Sequence, residues 1–198
     1  MGTRDPRDAP AEPTELVVEF DEGVPVALDG TRVDLVTLVS RLDELAGSYG
    51  FGRIDMVENR RVGIKSREVY ECPGSLALIL AHQDLEGITL ERDVAREKQR
   101  LEIRVAELIY DGLWHSPLMG ALDAFMRETQ RHVTGEVRLR LEPGRCHAVG
   151  RRAARGLYDH DLATYDAEDS FRHEDSAGFV RIWGLGIQTW AERQGWEQ

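Results

Sequence analysis

The chain has 198 residues, of which 41% are hydrophobic and 31% charged, and its formal net charge is −11. That length and balance describe a folded domain with a real core, or two small intimate subdomains. The acidity argues against nucleic acid or an anionic membrane as a main partner, since either favours a basic patch, and the apolar segment Leu76 to Ala81 is far too short to cross a bilayer.

In chain order, Pro6, Pro10 and Pro13 interrupt any regular element, so residues 1–14 read as a linker or extended arm. Glu15 to Phe20 alternates as a strand with Leu16, Val18 and Phe20 on one face; Gly23 turns the chain and Val24 to Leu28 returns. Asp29-Gly30 is a tight-turn pair. Asp34 is placed to cap a helix carrying Leu35, Leu38, Val39, Leu42, Leu45 and Ala46, closed by Gly47.

Residues 52–71, GRIDMVENRRVGIKSREVYE, follow. The near two-residue period predicts short strands with a turn near Asn59 and a loop after Lys65. Ile54, Val57, Val62, Ile64 and Val69 are expected to face a core. Asp55, Glu58, Glu68, Arg60, Arg61, Lys65 and Arg67 then line a rim. Such a rim suits a small zwitterion that needs both a carboxylate and a cation; it is equally what a solvated strand pair with cross-strand charges looks like.

Pro73 opens a helix that is apolar nearly all round and expected to be buried, with His82 near its end as a core or capping group. Thr89 is expected to cap the long helix that follows, whose inner stripe is Leu90, Val94, Leu101, Val105 and Leu108, interrupted by Glu97 and Lys98. Ser116-Pro117 starts another helix with Leu118, Ala121, Leu122, Phe125 and Met126 on one face. Glu136 to Leu141 alternates as a half-exposed strand, and Pro143-Gly144 makes a hairpin with Arg145 to Val149. Phe179 to Trp183 is predicted as a last strand, and residues 186–198 as a tail in which Trp190 and Trp196 require a docking surface. The fold class is α+β, antiparallel strands with several packed helices.

The six histidines form no zinc pattern, and there is neither a nucleophile elbow nor a P-loop. Asp159, Asp161, Asp166, Glu168 and Asp169 make an acidic run without the glycine and terminal glutamate of a calcium loop, so it reads as solvated. No metal ligand and no nucleophile is assigned. Cys72 and Cys146, without metal-type spacing, fit a reducing cytoplasm better than a disulfide scaffold, although a bridge between them is compatible with the sequence.

Four strings in order, residues 52–71 with AELIYDGLWHSP (106–117), VTGEVRLRL (133–141) and LATYDAEDSF (162–171), resemble the C-terminal synthetase part of argininosuccinate synthase, and the similarity runs from about Arg4 to about Leu185. The resemblance implies a synthetase domain over residues 15–185, preceded by a linker to a nucleotide-binding domain outside this chain and followed by a tail with an oligomer contact. The family joins citrulline to aspartate with ATP, releasing AMP and pyrophosphate, with Mg2+ assisting. Matched motif by motif, it assigns citrulline binding to Glu58 and Tyr70 and no residue of this part to catalysis. An ionised carboxylate accepts charge-assisted bonds from N–H groups, and a phenol both donates and accepts; their task is orientation.

The family's Ser-Gly-Gly-x-Asp ATP loop does not occur in the sequence. The resemblance therefore implies that ATP and Mg2+ belong to a separate nucleotide-binding half and that the chain self-associates as family members do, while the net charge argues against a nucleic-acid or membrane partner and the two thiols fit the cytoplasm. It departs from the family at Glu97 and Val105, where apolar or aromatic residues are usual, and at Cys72, usually small. The competing readings are a catalytically incompetent oligomerising or amino-acid-binding module, and a split synthetase for another amino-acid substrate.

Overall fold

The computed structural model describes residues 2–159 and 173–195, which fall into two compact units divided between Leu157 and Tyr158. The first unit holds β1 (Thr14–Asp21), β2 (Val24–Leu28), β3 (Thr31–Arg32), α1 (Leu35–Ser48), β4 (Arg53–Asn59), β5 (Lys65–Glu71), α2 (Pro73–Thr89), α3 (Arg92–Tyr110), α4 (Pro117–Gln130), β6 (Gly135–Glu142) and β7 (Arg145–Arg152). The second holds α5 (His173–Gln194). The α+β class with antiparallel strands is as the sequence indicates.

Five strands make an antiparallel sheet in the order β3-β2-β1-β6-β7. The tight turns are set locally: Glu22-Gly23 and Asp29-Gly30 both have positive φ at both residues, the conformation that matches a two-residue hairpin to the twist of its strands. The β1–β6 pairing is non-local and is fixed by the apolar face, with Leu16 opposite Leu139 and Val18 opposite Val137; a one-residue slip would send all four to solvent.

The core lies between this face and two helices. Leu16, Val18, Phe20, Val137, Leu139 and Leu141 from the sheet meet Leu38, Leu42 and Ala46 of α1 and Ala77, Ala81 and Leu85 of α2. Each fully buried leucine contributes about 1.5–3 kcal/mol. The α1 helix begins as expected at Asp34, which accepts from the Thr37 N–H at 3.0 Å; it ends one residue later than the Gly47 stop predicted from sequence, at Ser48. The α2 helix is not buried all round. Its core face is built from small residues, Gly74, Ala77 and Ala81, while Ile79 is exposed. A Cβ on Gly74 would lie 2.7 Å from the Val39 carbonyl oxygen, so close approach of α1, rather than bulk, is what this face supplies.

Several other expectations are corrected. Thr89 closes α2, its hydroxyl donating to the Leu85 carbonyl at 2.9 Å, and Glu91 caps α3 by accepting from the Asp93 and Val94 N–H groups. His82 sits in the middle of α2; its Nε2 is 2.8 Å from Gln130 Oε1, and its ring lies 5.7 Å from that of Phe20, a core arrangement. Lys98, expected to interrupt the inner stripe of α3, is with Leu108 its most buried member. The strand predicted over Phe179–Trp183 and the tail predicted from Gly186, as far as Gln194, are one continuous helix, α5; Trp196 lies outside the described residues. The alternation Phe-Val-Arg-Ile-Trp imitates a strand, but Phe179, Trp183, Ile187 and Trp190 also recur on one helical stripe, and the Phe179 and Trp183 rings stack at 5.5 Å.

Both cysteines are free, and burial pushes the Cys146 thiol up to about 11. Of the acidic run, Asp161, Asp166, Glu168 and Asp169 lie outside the described residues, as does the string 162–171. Among the described residues no helix is long and apolar enough to cross a membrane.

Candidate functional site

The site is carried by β4 and β5, which form a separate two-stranded hairpin. Glu58 pairs with Ser66 and Ile54 with Tyr70. Alternation therefore puts Ile54, Met56, Glu58, Ser66, Glu68 and Tyr70 on one face and Asp55, Val57, Arg67 and Val69 on the other. The expectation that the apolar residues of this stretch face a core is not met: Val57, Val62, Ile64 and Val69 are all more than half exposed. Period two reports that a strand has two faces; it does not report that either is covered. The turn spans residues 60–64, closed by the Arg60 N–H to the Ile64 carbonyl at 2.8 Å, and β5 starts at Lys65 instead of a loop following it.

Glu58 and Tyr70 come together. The Tyr70 hydroxyl donates to Glu58 Oε2 at 2.6 Å. A third residue, absent from the sequence-derived site, completes the arrangement: the Tyr110 hydroxyl, at the last position of α3, donates to Glu58 Oε1 at 2.7 Å. Two phenols thus shield a carboxylate whose side chain is only 11% exposed. The bonds from Tyr70 and then Tyr110, helped by Arg60, hold the Glu58 carboxyl below its ordinary value against the opposing effect of partial burial. Both phenols are correspondingly pushed up, chiefly by the same bonds to Glu58.

The cations of the stretch divide. Arg60 Nε lies 3.8 Å from Glu58 Oε1, while Arg60 also donates to Ser66 Oγ at 2.9 Å and to Glu68 Oε1 at 2.5 Å. Arg67 pairs with Asp55 on the opposite face, and Lys65 donates to Asn59 Oδ1 at 2.6 Å. Arg60 alone of these three approaches Glu58. At the tip, Arg61 pairs with Asp111, the residue after α3.

The base of the hairpin is tied to the N-terminal segment. The Thr3 hydroxyl and the Gly2 and Thr3 N–H groups donate to Glu71, and Arg53 donates to the Thr3 and Arg4 carbonyls at 2.7 and 2.9 Å. Thr3, with the Gly2 and Thr3 amides and Arg53, brings the Glu71 carboxyl down to about 2. The strand-to-helix corner is tight. Gly52 has φ +105°, and a Cβ there would lie 2.3 Å from Pro73 Cα, so only glycine fits.

Chemically, an ionised carboxylate has about four acceptor positions. Two are taken by the phenol hydroxyls, one on each oxygen, which leaves one on each oxygen for a ligand's N–H groups. The phenol oxygens, their hydrogens directed at Glu58, remain as acceptors. The arrangement can accept hydrogen bonds from an ammonium or ureido group; none of its members is placed to act as a nucleophile.

A cavity of about 770 Å³ lies elsewhere, lined by residues including His82, Lys98, Glu102, Val105, Met126 and Gln130, and by neither Glu58 nor Tyr70. Its central ammonium is already engaged, Lys98 Nζ lying 3.0 Å from Glu86 and paired also with Glu102. Among the described residues no three His, Cys, Asp or Glu side chains group in a way that could hold a metal ion.

Known proteins place this chain in a family. The model of the Arginosuccinate synthase C-terminal domain matches residues 1–190. The argininosuccinate synthase of Rubrobacter xylanophilus is 52% identical over 189 residues, covering 96% of this chain and 46% of that protein. The corresponding protein of Thermosynechococcus vestitus is 54% identical over 184 residues, and that of Trichodesmium erythraeum 49% over 186, covering 93% and 94% of this chain and 46% of each of those proteins. The chain spans about half the length of these curated relatives. With almost all of it matched at about half identity, the chain belongs to the argininosuccinate synthase C-terminal domain family.

Proposed function

We propose that this chain is the synthetase half of an argininosuccinate-synthase-type ligase, working with a nucleotide-binding half to join citrulline and aspartate at the expense of ATP. The observation that supports it most is the Glu58 carboxylate gripped between Tyr70 and Tyr110 on the face of an otherwise exposed hairpin. Glu58 and Tyr70 hold citrulline through its N–H groups, and Tyr70 also offers an acceptor. Held at these points, citrulline presents its ureido oxygen in one orientation, which removes translational and rotational freedom from the later attack.

The sequence contains no Ser-Gly-Gly-x-Asp string, which supports placing ATP and Mg2+ outside this chain. Both are assigned to the nucleotide-binding half, as is aspartate. The stripe Phe179, Trp183, Ile187 and Trp190 on α5 supports self-association of the chain.

Titration calorimetry of the chain with citrulline tests the reading. Weak binding is expected, together with a loss of at least tenfold in Glu58→Gln, in line with removal of a hydrogen bond to a charged group. Equal affinity in the variant would remove Glu58 from the site. ATP–pyrophosphate exchange by the chain alone would contradict the assignment of nucleotide chemistry to another half.

A further inference from the structure

We propose that the carboxyl end of α3 is a positioning element for the site: Tyr110 sets the orientation of the Glu58 carboxylate, and Asp111, through Arg61, holds the hairpin tip that carries it. The inference rests on reading Glu58 as a ligand-holding carboxylate and extends it to two residues outside the hairpin.

The hairpin needs such a device. A two-stranded ribbon is marginal without a covered apolar face, and here Met56, Val57, Val62, Ile64 and Val69 are exposed. Packing therefore does little to fix its pose. Its base is held by the Cys72 N–H to the Gly52 carbonyl at 2.9 Å and by the ties of Arg53 and Glu71 to residues 2–4. Its far end, some six residues along each strand, meets the body through side chains, and those side chains come from two consecutive positions of α3 and its C-cap: Tyr110 to Glu58, and Asp111 to Arg61.

The placement of Asp111 is telling. A carboxylate at a helix C-terminus faces the negative end of the dipole and is disfavoured there, yet Asp111 is the C-cap of α3 and its partner is a cation from the hairpin tip. Gly112, with φ +71°, then turns the chain away, and the Leu113 N–H closes on the Leu108 carbonyl at 2.8 Å. The end of α3 is thereby fixed, with Leu108 buried beneath it, and two polar groups project from a rigid platform onto a ribbon that lacks one. Tyr110 does not displace Tyr70; it takes the other Glu58 oxygen. With both oxygens engaged, rotation of the carboxylate about its terminal torsion is arrested.

The test uses the whole chain and three variants. Tyr110→Phe keeps the ring and removes the hydroxyl. It is expected to weaken citrulline binding about tenfold, the lower end for a hydrogen bond to a charged group, and to raise the pH at which the Glu58 carboxyl carbon titrates by NMR. Asp111→Arg is expected to weaken binding as well, and the swap Arg61→Asp with Asp111→Arg to recover most of it, which a loss of fold would not do. The carboxyl titration needs no ligand. If citrulline fails to bind the unaltered chain, the proposed function fails, while a raised Glu58 midpoint in Tyr110→Phe still upholds the positioning role. An unchanged midpoint, or a charge swap that recovers nothing, overturns it.

Discussion

Lys98 offers a quantitative test of how α3, the helix that carries Tyr110, is packed. Its side chain is 7% exposed; Nζ lies 3.0 Å from Glu86, whose side chain is 11% exposed, and pairs also with Glu102, which is 43% exposed. Gln130 Nε2 donates to the same Glu86 at 2.6 Å, and its Oε1 lies 2.8 Å from His82 Nε2. Lys98→Met keeps the stem of the side chain and removes the charge. The Glu102 half of the cluster behaves as a surface pair, worth about 0–1 kcal/mol. The Glu86 half does not. Removing one member of a buried pair costs about 3–5 kcal/mol because the other charge is stranded, and the Gln130 amide softens this, so the lower end, about 3 kcal/mol, applies. For a chain of this size that is roughly 6–12 °C in Tm. Urea unfolding followed by far-UV circular dichroism measures it, and adding Glu86→Gln to Lys98→Met is expected to restore at least half, since the stranded charge goes. Burial by itself lowers the Lys98 ammonium's value, but the bonds it donates to Glu102 and Glu86 outweigh that and leave it raised. A raised value stabilises fully below the ordinary lysine value, about 10.4, and is lost only as pH rises through the folded one. The penalty should therefore be constant across neutral pH. A loss under about 1 kcal/mol, or a double variant costing the sum of the singles, would refute the reasoning.

Two further outcomes follow from the ties at the hairpin base. Glu71 is brought down to about 2, so its hold on Gly2 and Thr3 is complete above its ordinary value of about 4.3 and weakens as pH falls towards 2; amide exchange at Thr3 should accelerate over that window, and in Glu71→Gln it should be fast at neutral pH. Gly52→Ala must move Pro73 and adopt a disfavoured φ, which together cost about 3 kcal/mol or more, read as a fall in the urea midpoint.

Much of the fold was legible because its signals are local. Asp29-Gly30 and Pro143-Gly144 mark turns by chemistry, Asp34 and Ser116 cap the helices expected of them, and the alternation of Val137, Leu139 and Leu141 gives the sheet face directly. Glu58 and Tyr70 were found through the resemblance, and the hairpin register explains why both lie on one face. Tyr110 was not found, although it lies within the string AELIYDGLWHSP that helped carry the resemblance, because its partner is 52 positions away and nothing local marks it. Lys98 breaks an apolar stripe in one dimension and completes a buried cluster in three. In α5, glycines at 178, 184 and 186 weaken a helical pattern, and the neighbouring alternation of large apolar residues outweighed it.

The central claim, that a carboxylate between two phenols grips an amino acid, is tested most directly by amide chemical-shift mapping of the chain with citrulline. Shifts are expected to concentrate on residues 54–70 and on Tyr110 and Asp111, and to vanish in Glu58→Gln. Shifts centred on His82 and Lys98 in the cavity between α2, α3 and α4, or none at millimolar citrulline, would contradict it.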